Sequence, residues 1–252
     1  MKFGLSDKAV IVTGAASGIG AAIARMLAGE GADSLILTDR DGPGLAQIAA
    51  ELSAVSVEAD LMDSGAPAVI AGAALDRFGR IDGLVNAAGL TTRGSFETGT
   101  VETWEALFTV NARAGFFLMQ AAIADMRRRG AAGAIVNILS MNAYCGIPEL
   151  AVYSATKGAM VTLTKNAAHA HMADRIRVNG INLGWVATEA EQALQAARHG
   201  PGWLEAQAAA QPLGRLVTAE ECARLAVFLL SEASVPMSGA VIDLEQKVAG
   251  AI

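Results

Sequence analysis

The sequence predicts an α/β fold in which helices cover both faces of a doubly wound parallel sheet of about seven strands. Two observations support this fold class. Short apolar segments rich in β-branched residues alternate along the chain with alanine-rich segments whose apolar residues recur with helical period. The short segments are apolar at nearly every position, as expected for strands buried on both faces. Residues 1–252 contain no linker, repeat or low-complexity segment, so a single domain is expected.

The predicted elements follow this alternation from the first apolar segment to the last. The strands are Ala9–Thr13, Leu35–Asp39, Ala54–Glu58, Gly83–Asn86, Ala134–Ser140, Ile176–Ile181 and Ala240–Leu244. The helices are Ile19–Gly29, Ala66–Phe78, Trp104–Arg128, Tyr153–Met172 and Ala219–Ser231. The basic run Arg127-Arg128-Arg129 precedes Gly130, which places positive charge at a helix C-terminus, where the helix dipole favours it.

Residues from about 185 to 212 interrupt the alternation. They contain two helical pieces, Glu189–Arg198 and Trp203–Gln211, on either side of His199-Gly200-Pro201-Gly202. An insertion between a late strand and a late helix of a regular scaffold often covers an active site. This segment is therefore predicted to be a substrate lid.

Composition argues against several classes of protein. With 53% hydrophobic and 17% charged residues, the chain has the composition of an ordered protein. Its formal net charge of −6 argues against a nucleic-acid partner, and its two cysteines and three histidines lack the spacing of a metal site. No apolar run reaches the roughly 18 to 20 residues of a membrane span, and no signal-peptide segment precedes the first strand. A cytoplasmic protein is expected.

A glycine-rich turn joins the first strand to the first helix. It is Thr13-Gly14-Ala15-Ala16-Ser17-Gly18-Ile19-Gly20. Glycine lets the backbone approach a pyrophosphate, whose charge is favoured by the N–H groups and dipole at a helix start. Asp39 ends the second strand 19 residues after Gly20, close to the spacing of about 20 residues typical of a ribose-binding carboxylate. A dinucleotide site is predicted.

Asp39 also favours one dinucleotide over the other. Its carboxylate can accept hydrogen bonds from the adenosine ribose hydroxyls, whereas a 2′-phosphate at the same place would meet like-charge repulsion. NAD is therefore the preferred cofactor. NADP remains the alternative, because the adjacent Arg40 carries a guanidinium that could pair with a 2′-phosphate.

The spacing Gly14-x-x-x-Gly18-x-Gly20 resembles the nucleotide loop of the short-chain dehydrogenase/reductase family. Asn86-Ala87-Ala88-Gly89 is similar to that family's NAG-type motif, and Asn111 falls where its helix asparagine does. Ser140 followed by Tyr153 and Lys157 resembles the family's serine and YxxxK motif. The resemblance covers nearly the whole chain. It implies a single-domain Rossmann fold and an NAD(P)-dependent oxidoreductase acting on the CH–OH group of a secondary alcohol.

The resemblance also implies a role for each catalytic residue. Tyr153 would be the general acid/base, and the Lys157 ammonium, one helical turn away, would stabilise its phenolate and bind the nicotinamide ribose. Ser140 would hydrogen-bond the substrate oxygen. Asn111 would hold a water that links Lys157 to solvent.

Cofactor contacts are implied at the residues that match the family's motifs and at those following the third and sixth strands. They are Gly14, Ser17, Gly18, Ile19, Gly20, Asp39, Arg40, Asp60, Leu61, Asn86, Ala87, Gly89, Tyr153, Lys157, Gly184, Val186 and Thr188. Two segments depart from the family's pattern: Leu183 stands where proline is usual, and Ile242–Gln246 replaces a VDGG-type turn. The family is commonly tetrameric, and the apolar tail to Ile252 could pack on a neighbouring subunit.

Polar residues close to the expected pocket favour a polyhydroxylated small molecule, so oxidation of a sugar or polyol is expected. The substrate candidates are Arg93, Asn142, Glu149, Trp185 and Glu189, with Tyr144 and Gln192 nearby. One alternative is an NADP-dependent ketone reductase of the 3-ketoacyl carrier-protein type, which this chain also resembles. Another is a nucleotide-sensing binding module that keeps the fold without catalysis.

Overall fold

The computed structural model, which describes residues 3–249, is built around a parallel sheet of seven strands. The strands are β1 (Ala9–Thr13), β2 (Ser34–Asp39), β3 (Val55–Glu58), β4 (Gly83–Asn86), β5 (Gly133–Ser140), β6 (Ile176–Leu183) and β9 (Val241–Leu244). Their spatial order is β3-β2-β1-β4-β5-β6-β9, and every neighbouring pair is parallel. The predicted Rossmann fold class is therefore confirmed. The order reverses between β1 and β4, where such sheets bind ligands at their carboxyl edge.

Helices cover both faces of this sheet. They are α1 (Gly18–Gly29), α2 (Gly42–Leu52), α3 (Ala66–Phe78), α4 (Val101–Phe108), α5 (Ala114–Arg129), α6 (Ala151–His171), α7 (Glu189–His199), α8 (Trp203–Ala209) and α9 (Ala219–Leu230). Residues of α1, α2 and α9 form one hydrophobic core against the sheet, and residues of α3, α5 and α6 form the other. Strands β1 and β4, which lie inside the sheet, are buried at every position, which explains their apolar sequences, whereas the edge strand β3 alternates partly buried and exposed residues.

The structure adds elements that the sequence analysis did not predict. Helix α2 begins with Gly42-Pro43-Gly44, and the Asp41 side chain caps it by accepting from the Gly44 N–H at 3.2 Å. A second, two-stranded parallel sheet pairs β7 (Val186–Ala187) with β8 (Val217–Thr218), at the two ends of the predicted lid. Strand β6 continues through Leu183, two residues beyond the predicted end at Ile181.

The predicted helix Trp104–Arg128 is a continuous helical stretch from Val101 to Arg129, divided by a π-helical turn at Thr109–Arg113. An 18-residue window within it is apolar enough by composition to cross a membrane. Half of that window is buried inside the domain, where α5 contacts α3 and β4. Such burial is typical of a core helix in a globular α/β domain.

The C-terminal segment fastens the base of the predicted lid. The Gln246 side chain accepts from the Leu213 N–H at 2.9 Å and donates to the Arg215 carbonyl at 2.6 Å. The predicted packing of the tail on a neighbouring subunit concerns a segment that ends at Ile252, and its last three residues, 250–252, lie outside the described part of the chain.

Candidate active site

The glycine-rich turn leaves β1 and packs directly against the segment after β4. Gly14 has a φ of +69°, and an added Cβ there would lie 2.9 Å from the backbone of Ala88. An added Cβ at Gly20 would overlap the Gly14 carbonyl. The Thr13 hydroxyl, which the sequence analysis did not single out, accepts from the Ala87 and Ala88 N–H groups at 3.0 Å each. The turn therefore forms a cradle that has no room for a side chain at Gly14 or Gly20.

The start of α1 presents backbone N–H groups to this cradle. Ser17 is the N-cap residue, and within the described residues its side chain makes no capping hydrogen bond. The first N–H groups of the helix are thus available to an anion, as at other phosphate-binding helix starts. The Thr188 side chain would lie 3.4 Å from an added Cβ at Gly18, so one ligand could contact both segments.

The structure places Asp39 at the carboxyl end of β2, beside the glycine-rich turn. Its Oδ2 accepts from the Ala16 N–H and its Oδ1 from the Asp41 N–H, both at 3.1 Å. Arg40 is exposed to solvent. Leu61 is buried after β3, and Asp60, which precedes it, is exposed. The adenosine end of a dinucleotide would thus meet a carboxylate held by two backbone groups.

Three predicted catalytic residues lie together at the carboxyl ends of β4 and β5. Ser140, Tyr153 and Lys157 are each less than 10% exposed. The Lys157 Nζ donates to the Ile138 carbonyl at 2.8 Å and lies 5.7 Å from the centroid of the Tyr153 ring. An added Cβ at Gly89 would lie 3.7 Å from that Nζ. The ammonium is therefore buried, with the backbone of the segment after β4 close to it at Gly89.

Burial determines the acid–base properties of this cluster. It lowers the pKa of Lys157 to about 8, since the charged ammonium loses its hydration. The pKa of Tyr153 is raised, first by burial; a hydrogen bond with Ser140 lowers it, and the negative charge of Glu191 raises it. The Ser140 hydroxyl accepts from the backbone N–H and the side-chain amide of Asn142, at 3.2 and 3.3 Å.

The π-helical turn places Asn111 against α6, which contains Tyr153 and Lys157. Its amide donates to the Leu90 carbonyl at 2.9 Å and to the Thr156 hydroxyl at 3.1 Å, and its oxygen accepts from the Leu90 N–H at 2.7 Å. The wider turn of a π-helix often occurs at functional sites. Asn111 thereby joins the segment after β4 to α6, next to Lys157.

The predicted substrate residues divide into two groups. Asn142 and Trp185 are partly buried beside Ser140 and at the end of β6, respectively. Arg93 and Glu149 form an ion pair with each other at 3.4 Å, and the Glu149 side chain is 59% exposed. Tyr144, Glu189 and Gln192 are exposed. The structure therefore brings only part of the predicted set to the pocket.

Glu191 is a site residue that the sequence analysis missed. Its Oε1 accepts from the Trp185 indole N–H at 2.7 Å and from the Gln195 amide at 2.8 Å. The pattern Thr188-x-x-Glu191 resembles a helix N-cap, and Thr188 does cap α7 through the Glu191 N–H at 3.2 Å. Because helix capping accounts for this pattern, the sequence does not indicate where the Glu191 carboxylate lies. Only the preceding tryptophan could have indicated a partner.

A comparison with known proteins yields matches over nearly the whole chain. A family model described as enoyl-(acyl carrier protein) reductase matches residues 14–246. The chain is 38% identical over 214 residues to inactive 2-(S)-hydroxypropyl-CoM dehydrogenase 2 of Xanthobacter autotrophicus, covering 83% of this chain and 92% of that protein. It is 37% identical over 248 residues to gluconate 5-dehydrogenase of Gluconobacter oxydans, covering 96% and 95%.

A solved structure matches as well. L-sorbose reductase from Gluconobacter frateurii, complexed with NADPH and L-sorbose, has a TM-score of 0.92 and 29% identity, and the match covers 100% of both chains. The chain belongs to the short-chain dehydrogenase/reductase family. It is thus an NAD(P)-dependent oxidoreductase that acts on the CH–OH group of a small-molecule alcohol.

The departure at Leu183 has a structural explanation in this dehydrogenase/reductase. Leucine has a backbone N–H and a free φ angle, so β6 continues to Leu183, which pairs with Ser140 on β5 and Leu244 on β9. Gly184 then extends the pairing by donating to the Leu244 carbonyl at 3.0 Å. The strand therefore extends to Leu183 without the proline, and Gly184 and Val186 follow this strand in the chain.

The buried ammonium leads to a prediction about stability. The pKa of Lys157 is about 8 in the folded protein and 10.5 for an ordinary lysine. The buried ammonium therefore lowers the free energy of unfolding in full below pH 8, and this loss disappears as the pH rises toward 10.5. Replacement by methionine is therefore expected to raise the free energy of unfolding of the cofactor-free protein at pH 7 by about 1–3 kcal/mol. Urea denaturation at pH 7 and pH 10 measures this.

The exposed Lys165 on the same helix provides the control. Lys165→Met is expected to change the free energy of unfolding by less than about 0.5 kcal/mol at either pH. A loss of stability in Lys157→Met at pH 7 would contradict the prediction, since it would mean that the ammonium is stabilising.

Proposed function

We propose that this enzyme is an NAD-preferring dehydrogenase that oxidises a secondary hydroxyl of a sugar or polyol, with Tyr153 as the general acid/base. The observation that carries the proposal is the enclosed cluster of Ser140, Tyr153 and Lys157 at the edge of the glycine cradle. Relatives named for a sugar acid and a sugar support the substrate class.

The protein's residues fit a nicotinamide dinucleotide. The turn has no room for a side chain at Gly14 or Gly20, and Gly18 has a φ of +54°, which favours glycine. The N–H groups of α1 suit a pyrophosphate. Asn86, Ala87 and Gly89 would line the route from this cradle to Lys157, which would hold the nicotinamide ribose. When bound, the oxidised nicotinamide supplies the hydride acceptor and a positive charge beside the phenol.

Each catalytic side chain then has one task. Ser140 holds the substrate oxygen, and Tyr153 accepts the hydroxyl proton as the carbinol carbon loses its hydride. The Lys157 ammonium lies on the same helix face and stabilises the phenolate. The alcohol therefore becomes a carbonyl by loss of a hydride and a proton. Asn111 is proposed to hold a water that returns protons between Lys157 and solvent.

Two further features belong to this proposal. Residues 185–212 are the proposed lid, because α7 and α8 are joined by stacking of His199 on Trp203, with ring centroids 4.1 Å apart, and are fastened at the base by Gln246. The proposed homotetramer would use the exposed aromatic residues Phe116 and Phe117 on α5. Substitution of a lid residue should change kcat/KM for the substrate if the lid contacts it.

A reductase that uses NADPH is the second candidate. Two observations favour it: L-sorbose reductase binds NADPH in its solved structure, and Arg40 is exposed beside Asp39. The non-catalytic binding module has one observation in its favour, the relative named as inactive. The complete set of catalytic side chains opposes it.

The first experiment measures NADH formation at 340 nm with NAD or NADP and a panel of alditols, aldoses, hydroxy acids, steroids and simple secondary alcohols. Turnover of a sugar or polyol with NAD is expected. Tyr153→Phe should lower kcat at least about 1,000-fold, because general acid/base catalysis is lost, while NADH still binds. Oxidation of NADPH by ketones, with no alcohol turnover, would favour the reductase.

Cofactor preference is tested at Asp39. Asp39→Ser removes the charge that repels a 2′-phosphate, so kcat/KM with NADP relative to NAD is expected to rise at least about 10-fold. Asp33→Ser is the control, because Asp33 is exposed and precedes the same strand. An unchanged ratio in Asp39→Ser would mean that this carboxylate does not choose the cofactor.

The proposed assembly is tested by sedimentation velocity of the wild type. The mass of four chains is expected, and Phe116→Glu should reduce it, since a buried charge at an interface is costly. A monomeric wild type at micromolar concentration would rule out the tetramer.

A further inference from the structure

The first turn of the lid helix α7 holds a carboxylate in a fixed orientation. Glu191 Oε1 receives two hydrogen bonds, from the Trp185 indole at 2.7 Å and the Gln195 amide at 2.8 Å. Glu191 is partly buried and Gln195 is only 6% exposed. Two donors from different elements thus hold one oxygen of an ionised side chain. A carboxylate at the protein surface is hydrated by water and does not require two protein donors on one oxygen.

Two side-chain oxygens of this cluster have no hydrogen-bond donor within the described residues. Within residues 3–249 the Glu191 Oε2 accepts no hydrogen bond, and the buried Gln195 Oε1 has no partner. An unpaired buried polar atom is unfavourable, so a ligand or a water that donates a hydrogen bond here would be stabilised. The cluster therefore lacks at least one hydrogen-bond donor.

The position of the cluster points to the substrate. Trp185 follows Gly184 at the end of β6, and the preceding Leu183 pairs with Ser140 on β5. Glu191 is also close enough to Tyr153 for its charge to raise the pKa of that phenol. The carboxylate is thus on the lid side of the site that contains Ser140 and Tyr153.

We propose that Glu191 determines substrate specificity by accepting a hydrogen bond from a second hydroxyl of the substrate, so that the enzyme prefers neutral polyhydroxy alcohols to hydroxy acids. Trp185 and Gln195 are positioning residues that hold the carboxylate. A charged acceptor binds a hydroxyl strongly in a site that excludes water, and it repels a substrate carboxylate. This inference rests on the proposed dehydrogenase function and names its substrate class.

The test compares three probes with NAD: the alditol or aldose that the wild type oxidises fastest, the corresponding sugar acid, and 2-butanol. Glu191→Ala is expected to lower kcat/KM for the sugar or alditol by about 10- to 100-fold, mostly through KM, and for 2-butanol by less than about 3-fold. Glu191→Gln, which removes the repulsion, should raise kcat/KM for the acid relative to the alditol about 10-fold.

Glu205→Gln is the matched control, because Glu205 is a glutamate in the first turn of the other helix of the proposed lid, α8, and is exposed. It should leave all three ratios unchanged. Trp185→Phe removes the indole N–H donor while keeping an aromatic ring beside Trp203, and should raise KM for the alditol several-fold with little change in kcat. Fluorescence titration with NADH and circular dichroism verify that each variant folds and binds cofactor.

The outcomes separate the inference from the function it rests on. A wild type that oxidises the sugar acid faster than the alditol, or a Glu191→Ala variant that loses activity equally on all three probes, overturns the specificity role and leaves the dehydrogenase intact. A wild type that binds NADH but oxidises no alcohol in the panel overturns both.

Discussion

The burial of one ammonium group is the constraint on which the rest of the site depends. Lys157 donates to a carbonyl of β5 and lies under the segment that follows β4, so its charge is isolated from water. An isolated buried charge destabilises the folded protein unless neighbouring groups interact with it. Gly89 lies close to the ammonium, Asn111 fixes the neighbouring backbone at Leu90, and Tyr153 lies on the same helix face. The proposed chemistry draws on a charge that the fold itself makes energetically unfavourable.

Parallel strand order brings these groups together. Residues far apart in sequence meet because β1, β4, β5 and β6 end at one edge of the sheet, and each strand delivers a different component there. The glycine cradle follows β1, the Asn86 segment follows β4, and Ser140 ends β5. The proposed lid begins immediately after β6. A site of this kind needs no special packing beyond the regular alternation of strands and helices.

The sequence predicts most of this arrangement, because the strands are buried on both faces and leave an unambiguous apolar signal. The predicted catalytic residues Ser140, Tyr153 and Lys157 were selected through motif order, and the structure brings them together. Helix α2 was missed because Gly42-Pro43-Gly44 suggests a loop, although proline and glycine are tolerated in a first helical turn. Glu191 was missed for another reason: its role depends on Trp185 and Gln195, and no local pattern reveals such a contact. Glu189, selected from sequence, has the same charge two residues earlier and faces solvent.

The two hydrogen bonds that Asp39 accepts have a consequence for how cofactor preference can evolve. The carboxylate that would select NAD also anchors the Ala16 and Asp41 N–H groups, so it is part of the scaffold of the nucleotide loop. A lineage that changes its electron carrier by replacing this residue must restore the order of the loop by some other contact. The choice between NAD and NADP in this chain is thereby coupled to the rigidity of a turn. A change of cofactor that keeps the protein stable requires compensating substitutions in that turn.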